Sequence, residues 1–245
     1  MNAGATRPIM RLHKFYRRHL RYPLWRLTHP FARYETYYAW VVTRKLQRGR
    51  KHPAIGPHAK AARGEREMVD VLLRHGLQPH HAVVDYGCGS LRLGRPLVEF
   101  LASGKYWGLD LAQEFLDAGV AHLGATLFAE RRPHLHVIDA AGLAAAKAAR
   151  PDVIAAWHVC GKIPDQIFED FFRKVLGLMH QGTKAYLQFE DTPTRRQLHG
   201  LAWSIPRQML LDTLKRIDPR LRVTIHEVKF NEHRGIRYVY AEVSY

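Results

Sequence analysis

Val83-Val84-Asp85-Tyr86-Gly87-Cys88-Gly89-Ser90-Leu91-Arg92-Leu93-Gly94 is the stretch on which the reading of this chain turns. An apolar, β-branched run, Ala82–Tyr86, leads straight into two spaced glycines, so a strand is predicted to end there in a sharp turn. Glycines at 87 and 89 let the backbone approach a ligand closely, at the carboxyl end of a strand where open α/β sheets bind their ligands. A dinucleotide fingerprint needs a third glycine at 92, where Arg92 stands. A carboxylate at Asp85 would also repel a pyrophosphate, so NAD and FAD are disfavoured. The same carboxylate suits a cationic amino-acid ligand reached through ordered water. A second acid, Asp110, closes Tyr106-Trp107-Gly108-Leu109-Asp110, 21 residues after Gly89. An acid there is placed to take both hydroxyls of a ribose.

Working outward, strand-like and helix-like stretches alternate. A helix around 64–75 stops at Gly76; strands follow at Ala82–Tyr86, Tyr106–Leu109, His134–Ile138, Val153–Trp157 and Thr183–Phe189. Helical spacing lies between them at Leu91–Leu101, Ala112–Leu123, Gly142–Ala149 and Pro164–Met179, and again at Ile205–Ile217. Such alternation predicts a parallel sheet covered on both faces. Arg222–Phe230 and Arg237–Val243 have no crossover helix between them, so that closing pair is predicted to be antiparallel.

The glycine turn, the two acids and this element order resemble the class I S-adenosylmethionine-dependent methyltransferases, whose motif I reads hydrophobic-hydrophobic-acid-x-Gly-x-Gly. The resemblance spans 63–245 and is sharpest over 81–120. It implies an α/β fold with a Rossmann-like, seven-stranded, mostly parallel sheet, helices on both faces and a last antiparallel strand. It also implies S-adenosylmethionine as methyl donor. Carried over by position, Gly87 and Gly89 pass close to the cofactor's amino-acid end and Asp85 anchors the turn. Asp110, with Leu111 beside it, holds the ribose. Asp139, ending His-Val-Ile-Asp-Ala, sits by the adenine amino group with Ala140 next to it, although an acid after a strand is equally a common helix cap. Ala156 and Trp157 face the transferred methyl. One departure stands out: many members carry a third glycine where this chain has Leu91.

The acceptor is less legible. The asparagine-proline-proline-aromatic signature of nucleobase amino methylation is absent; the corresponding segment reads Ala-Trp-His-Val-Cys-Gly-Lys-Ile-Pro. His158, directly after the fourth strand, is the candidate catalytic base, or else it caps that strand end. Glu190 and Asp191 open a loop with Arg195, Arg196 and His199 that would grip an anionic acceptor or simply lie in solvent. Sixteen histidines are present, but none is spaced with an acid or cysteine set, and no metal site is predicted.

The formal net charge is +16 over 245 residues, and it is unevenly placed. Residues 1–62 hold 14 basic residues and one acid, Glu35, leaving +13, while 63–245 carry +3. The chain therefore divides into a basic, aromatic-rich helical extension, 1–62, and a methyltransferase domain, 63–245. In the extension, Ile9, Leu12, Tyr16 and Leu20 predict one helix, which Pro23 ends or kinks. Phe31, Tyr34, Tyr37, Tyr38, Val41 and Val42 predict a second, and Arg48–Lys60 reads as a linker. A small-molecule or saccharide acceptor, with these helices capping the cleft, is the leading expectation. The alternatives are RNA held through 1–62, where Phe15, Tyr16, Tyr22, Trp25 and Phe31 would stack on bases, or a non-catalytic adaptor docking on an anionic membrane or a partner. No apolar run approaches the roughly 20 residues of a transmembrane helix, no secretory signal is evident, and two cysteines make no disulfide framework. A cytoplasmic protein, peripheral to membrane at most, is expected.

Overall fold

Val83 and Val84 are both wholly buried, yet they belong to different cores, because successive strand side chains point to opposite faces. The computed structural model describes residues 16, 20–47, 66–199 and 201–245. The expected helix beginning at Ile9, the 48–60 linker and the 62/63 boundary fall outside these residues, apart from Tyr16 and Leu20.

In chain order the helices and strands are α1 Arg21–Thr28, α2 Tyr34–Gln47, α3 Glu67–Arg74, β1 Val83–Tyr86, α4 Gly94–Phe100 and β2 Tyr106–Asp110. Then come α5 Gln113–Leu123, α6 Ala125–Arg131, β3 His134–Val137, α7 Ala140–Ala148 and β4 Val153–Ala156. The rest are α8 Phe168–Leu176, β5 Lys184–Asp191, β6 Gln197–His199, β7 Ala202–Trp203, α9 Arg207–Ile217, β8 Arg222–Asn231 and β9 Ile236–Ser244. Seven strands form one sheet in the order β3-β2-β1-β4-β5-β9-β8, with β6 and β7 a separate hairpin. The pairs joining β3 through β5 are parallel, and β9 runs antiparallel to both β5 and β8. The expected sheet, with its last strand reversed, is observed.

One face packs Val84, Ile154 and Leu187 against Phe171, Phe172 and Val175 of α8 and Leu210 and Leu214 of α9. The other packs Val83, Ala155 and Tyr186 against Met68 and Leu72 of α3, Leu97 of α4 and Leu116 of α5. Helix α8 shows why: Phe168, Phe171, Phe172, Val175 and Leu176 fall on one buried face, while Glu169, Arg173 and Lys174 take the other.

Most boundaries shift by a few residues, and three departures from the sequence reading have a local cause. The helix does not end at Pro23, which lies within the first residues of α1, a helix that follows directly on a π-helical Leu20. Helix α4 begins at Gly94 rather than Leu91, because Leu91 has φ +58°, outside the right-handed helical region. Helix α6 has no counterpart in the sequence pattern; Gly124, at φ +81°, breaks the helical run between α5 and α6.

Candidate functional site

The strand order reverses between β1 and β4, with β2 and β3 to one side and β4 and β5 to the other. Loops leaving such a switch point diverge and open a crevice at the strands' carboxyl ends. A cavity of about 570 Å³ lies there. Its floor is Gly87, Cys88 and Gly89 after β1, Asp110 and Leu111 at the end of β2, Trp157 and His158 after β4, and Gln188 and Glu190 of β5.

Gly87 and Gly89 both hold left-handed φ angles, +82° and +58°. At Gly87 a Cβ would strike Val159 Cγ2 at 2.7 Å, whereas at Gly89 it would meet nothing within 4 Å. The turn is thus packed on one side and open on the other. Asp110 fixes the open side: its Oδ2 accepts the Gly89 N–H and its Oδ1 the Leu111 N–H, each at 2.7 Å. Burial pushes its pKa up to about 6 against the pull of these amides. Leu91, the departure from the family's glycine, adopts the left-handed conformation itself. Its wholly buried side chain packs on Gly119 of α5, where a Cβ would come within 2.7 Å of Leu91 Cγ.

The two remaining acids act away from the cavity wall. Asp85 is buried behind the turn, where Oδ2 accepts the Tyr106 hydroxyl at 2.7 Å. Burial drives its pKa up to about 7, with Asp110 adding to the rise and the Tyr106 hydrogen bond opposing it. Asp139 caps α7, its Oδ1 accepting the Gly142 N–H at 2.7 Å. Neither Asp139 nor Ala140 is among the lining residues; Ile138 is.

His158 does face the cavity and has φ +57°. A non-glycine residue held there is strained, and its N–H is secured by Gln188 Oε1 at 3.0 Å. Its Nε2 lies 3.7 Å from Glu67 Oε2. The adjacent His158 imidazole holds the Glu67 carboxyl below its usual range, outweighing burial. Glu67, at the start of α3, carries no signal in the sequence, because its partner lies 91 residues away.

The loop after β5 separates its charges. Glu190 lines the cavity, opposite Lys162, whose pKa burial lowers and Glu190 raises. Asp191 instead accepts the Arg207 N–H at 3.0 Å and caps α9. Arg195 and Arg196, read from the sequence as gripping an anionic acceptor or lying in solvent, are not among the lining residues. Arg195 ion-pairs with Asp165, donates to the carbonyls of Ser204 and Ile163, and lies over the Phe168 ring; Arg196 donates to the Arg234 carbonyl at 2.6 Å. The His199 side chain lies outside what is described.

The roof comes from α1 and α2. Tyr34, Tyr37, Tyr38 and Val41 of α2, with Arg21 of α1, line the cavity. Trp25, Tyr34, Tyr37 and Val41 form a buried cluster against Ile167, Leu201 and Trp203, the last two in and beside the β6–β7 hairpin. Tyr38 packs with Ala112 and Phe115. Burial, and the Asp110 charge after it, raise the Tyr38 phenol pKa. Glu35 Oε1 reaches Lys174 Nζ of α8 at 3.2 Å and Arg33 reaches Asp170 at 3.4 Å. The aromatic spacing predicted the helix, and capping of the cleft was expected; which of its residues line the cavity is visible only in the structure.

At the other end of the sheet His75, His226 and Glu242 come together, their potential ligand atoms within 4.8 Å of one another. No spacing pointed to this set. Lys184 Nζ holds Glu242 Oε1 at 2.9 Å while both imidazoles lie against Oε2 at 3.3 and 3.2 Å. The carboxylate's charge is already answered by an ammonium.

No family model matches the sequence. The fold is similar to that of magnesium protoporphyrin IX methyltransferase (ChlM) from Synechocystis PCC 6803 with bound SAH. The match has a TM-score of 0.60 and 13% identity, over 86% of this chain and 98% of that one. It is also similar to the glycopeptide N-methyltransferase MtfA complexed with S-adenosylmethionine, at 0.53 and 14%, over 74% and 93% of the two chains. A third similar structure is the methyltransferase domain of bacterial CtHen1, at 0.54 and 12%, over 76% and 100%. The chain has the class I S-adenosylmethionine-dependent methyltransferase fold.

Proposed function

We propose that this chain is an S-adenosylmethionine-dependent methyltransferase acting on a small-molecule or carbohydrate acceptor enclosed beneath its N-terminal helices. The observation that carries this reading is the meeting of the open side of the Gly89 turn and the α2 tyrosines across one cavity. A cavity of this size is typical of small-molecule sites, roughly 300–1,000 Å³. Residues 1–62 would then be a capping extension and 63–245 the catalytic domain.

The residues fit the donor: Gly89 leaves room for a close ligand, and Asp110 presents a buried carboxylate beside it. Asp110 and Leu111 would hold the ribose, Gly87 and Gly89 the amino-acid end, and Trp157 would face the methyl, with Asp85 and Asp139 supporting the loops from behind. Bound S-adenosylmethionine supplies an electrophilic methyl group. His158 would accept the proton released by the acceptor. The Glu67 carboxylate, 3.7 Å from Nε2, favours the proton on that nitrogen and would leave Nδ1 as the basic atom, so Glu67 is assigned as a positioning residue. The cap excludes water from the reacting atoms.

RNA held through 1–62 is less favoured, because Tyr22 and Trp25 turn into the cap's own aromatic cluster instead of outward. Both cysteines are free and buried, which fits a reducing compartment such as the cytoplasm. The test is calorimetry with S-adenosylmethionine, followed by labelled-methyl transfer to small-molecule, saccharide, RNA and protein fractions. Saturable binding with label entering a small-molecule or saccharide fraction is expected. Absence of binding overturns the enzyme reading and favours an adaptor, while label in RNA overturns the acceptor class.

A further inference from the structure

Helix α1, which packs on the roofing helix α2, has a second apolar face. Trp25 and Tyr22 of α1 turn inward to the aromatic cluster. On the opposite side Leu20 is 43% exposed, Leu24 48%, Leu27 77% and Phe31, just beyond the helix, 97%. The spacing of four and three places Leu20, Leu24 and Leu27 along one side of the helix, and Phe31 stands bare in the turn that follows it. Pro23 is exposed among them. Large apolar side chains left bare in a row mark an interaction surface.

Charge says what covers it. Residues 20–33 contain Arg21, Arg26 and Arg33 and no carboxylate, within an extension that carries +13. A second copy of the chain would bring the same positive charge against itself. A nucleic acid would match the charge but would leave leucines with no base to stack on. A bilayer with anionic headgroups answers both features: it takes leucine and phenylalanine below the headgroups and arginine among them.

We propose that Leu20, Leu24, Leu27 and Phe31 form a docking surface for an anionic membrane, which seats the cap and the cavity mouth at the bilayer. Among the described residues no helix is long and apolar enough to cross a membrane, so the contact is peripheral. The proposal stands independently of the chemistry in the cleft.

The test is co-sedimentation of the full chain with phosphatidylcholine vesicles, with and without phosphatidylserine, at low and moderate salt. Binding is expected only with phosphatidylserine, weakening as salt rises. The double variant Leu27→Ser/Phe31→Ser should bind about tenfold or more less tightly, with unchanged far-UV circular dichroism. Neither side chain packs against the body, so folding is not at stake. Equal binding to neutral vesicles, or an unchanged affinity of the double variant, overturns the proposal. So does a wild-type dimer in light scattering that the double variant converts to monomer without any change in vesicle binding. Tighter binding to polyuridylate than to anionic vesicles overturns it in favour of RNA.

Discussion

Asp110 Oδ2 accepts the amide of Gly89 at 2.7 Å across 21 residues of chain, so the acid that ends β2 also holds the turn that ends β1. The partner oxygen takes the Leu111 amide. One carboxylate thereby sets the position of both loops on the donor side of the cleft.

Replacing Asp110 by Ala strands two amides, and an unmade buried hydrogen bond costs about 1–3 kcal/mol. Asp110→Ala should therefore lose at least tenfold in S-adenosylmethionine affinity by calorimetry. Its melting temperature should also fall without ligand. An affinity equal to wild type would sink the ribose assignment.

Leu91 and Gly119 are a second pair. Leu91→Gly relieves a left-handed leucine, worth about 1–2 kcal/mol, but empties a buried leucine site, worth about 2–5 kcal/mol. Net destabilisation in urea is expected. Gly119→Ala should be costly in the wild type and cheap in a Leu91→Ala background, because the 2.7 Å clash is with the leucine side chain. Additive losses in the double-mutant cycle would show that the contact does not limit packing.

His158→Ala should lower kcat about 10²-fold or more on the acceptor identified by the transfer screen, with S-adenosylmethionine affinity kept. Glu67→Gln should lower kcat less and shift the acid limb of the pH profile. If both variants turn over like wild type, no base is drawn from this pair.

Asp85 makes stability depend on pH in a definite direction. Burial raises its folded pKa from 3.8 to about 7, so the folded state favours the neutral acid. That stabilisation is full below about pH 4 and disappears as pH rises through about 7. A tenfold difference in proton affinity between the folded and unfolded chain is worth about 1.4 kcal/mol. Asp85→Asn keeps an acceptor for the Tyr106 hydroxyl and removes the titration. Relative to wild type, it should be more stable at pH 8 than at pH 5 in urea melts. A pH-independent difference between the two proteins would show that Asp85 does not titrate in this range.

Local pattern made the sheet legible. Val83 to Gly89 reads as strand and turn because alternation and glycine freedom act within a few residues, and Asp110 is recognisable because it ends the next strand. The parallel order and the reversed final strand follow from which connections contain a helix. The N-terminal charge and aromatic spacing likewise pointed to basic helices. Contacts between distant segments left no such trace. Nothing near Glu67 announces His158, and nothing near Tyr38 announces Asp110. Arg195 reads as a free cation until Asp165, Ile163 and Ser204 are brought around it. The same holds for Asp139, which the α7 N-terminus claims, and for Glu190 and Asp191, adjacent in sequence but turned to opposite duties by the pleat of β5. By itself the sequence determined the fold class and the donor-side turn, since both rest on backbone preference and short-range spacing. Tertiary structure alone decided which charges face the cleft, which residues of the expected cap line it and which leucines stay bare, because burial and pairing depend on segments that meet only when the chain has folded.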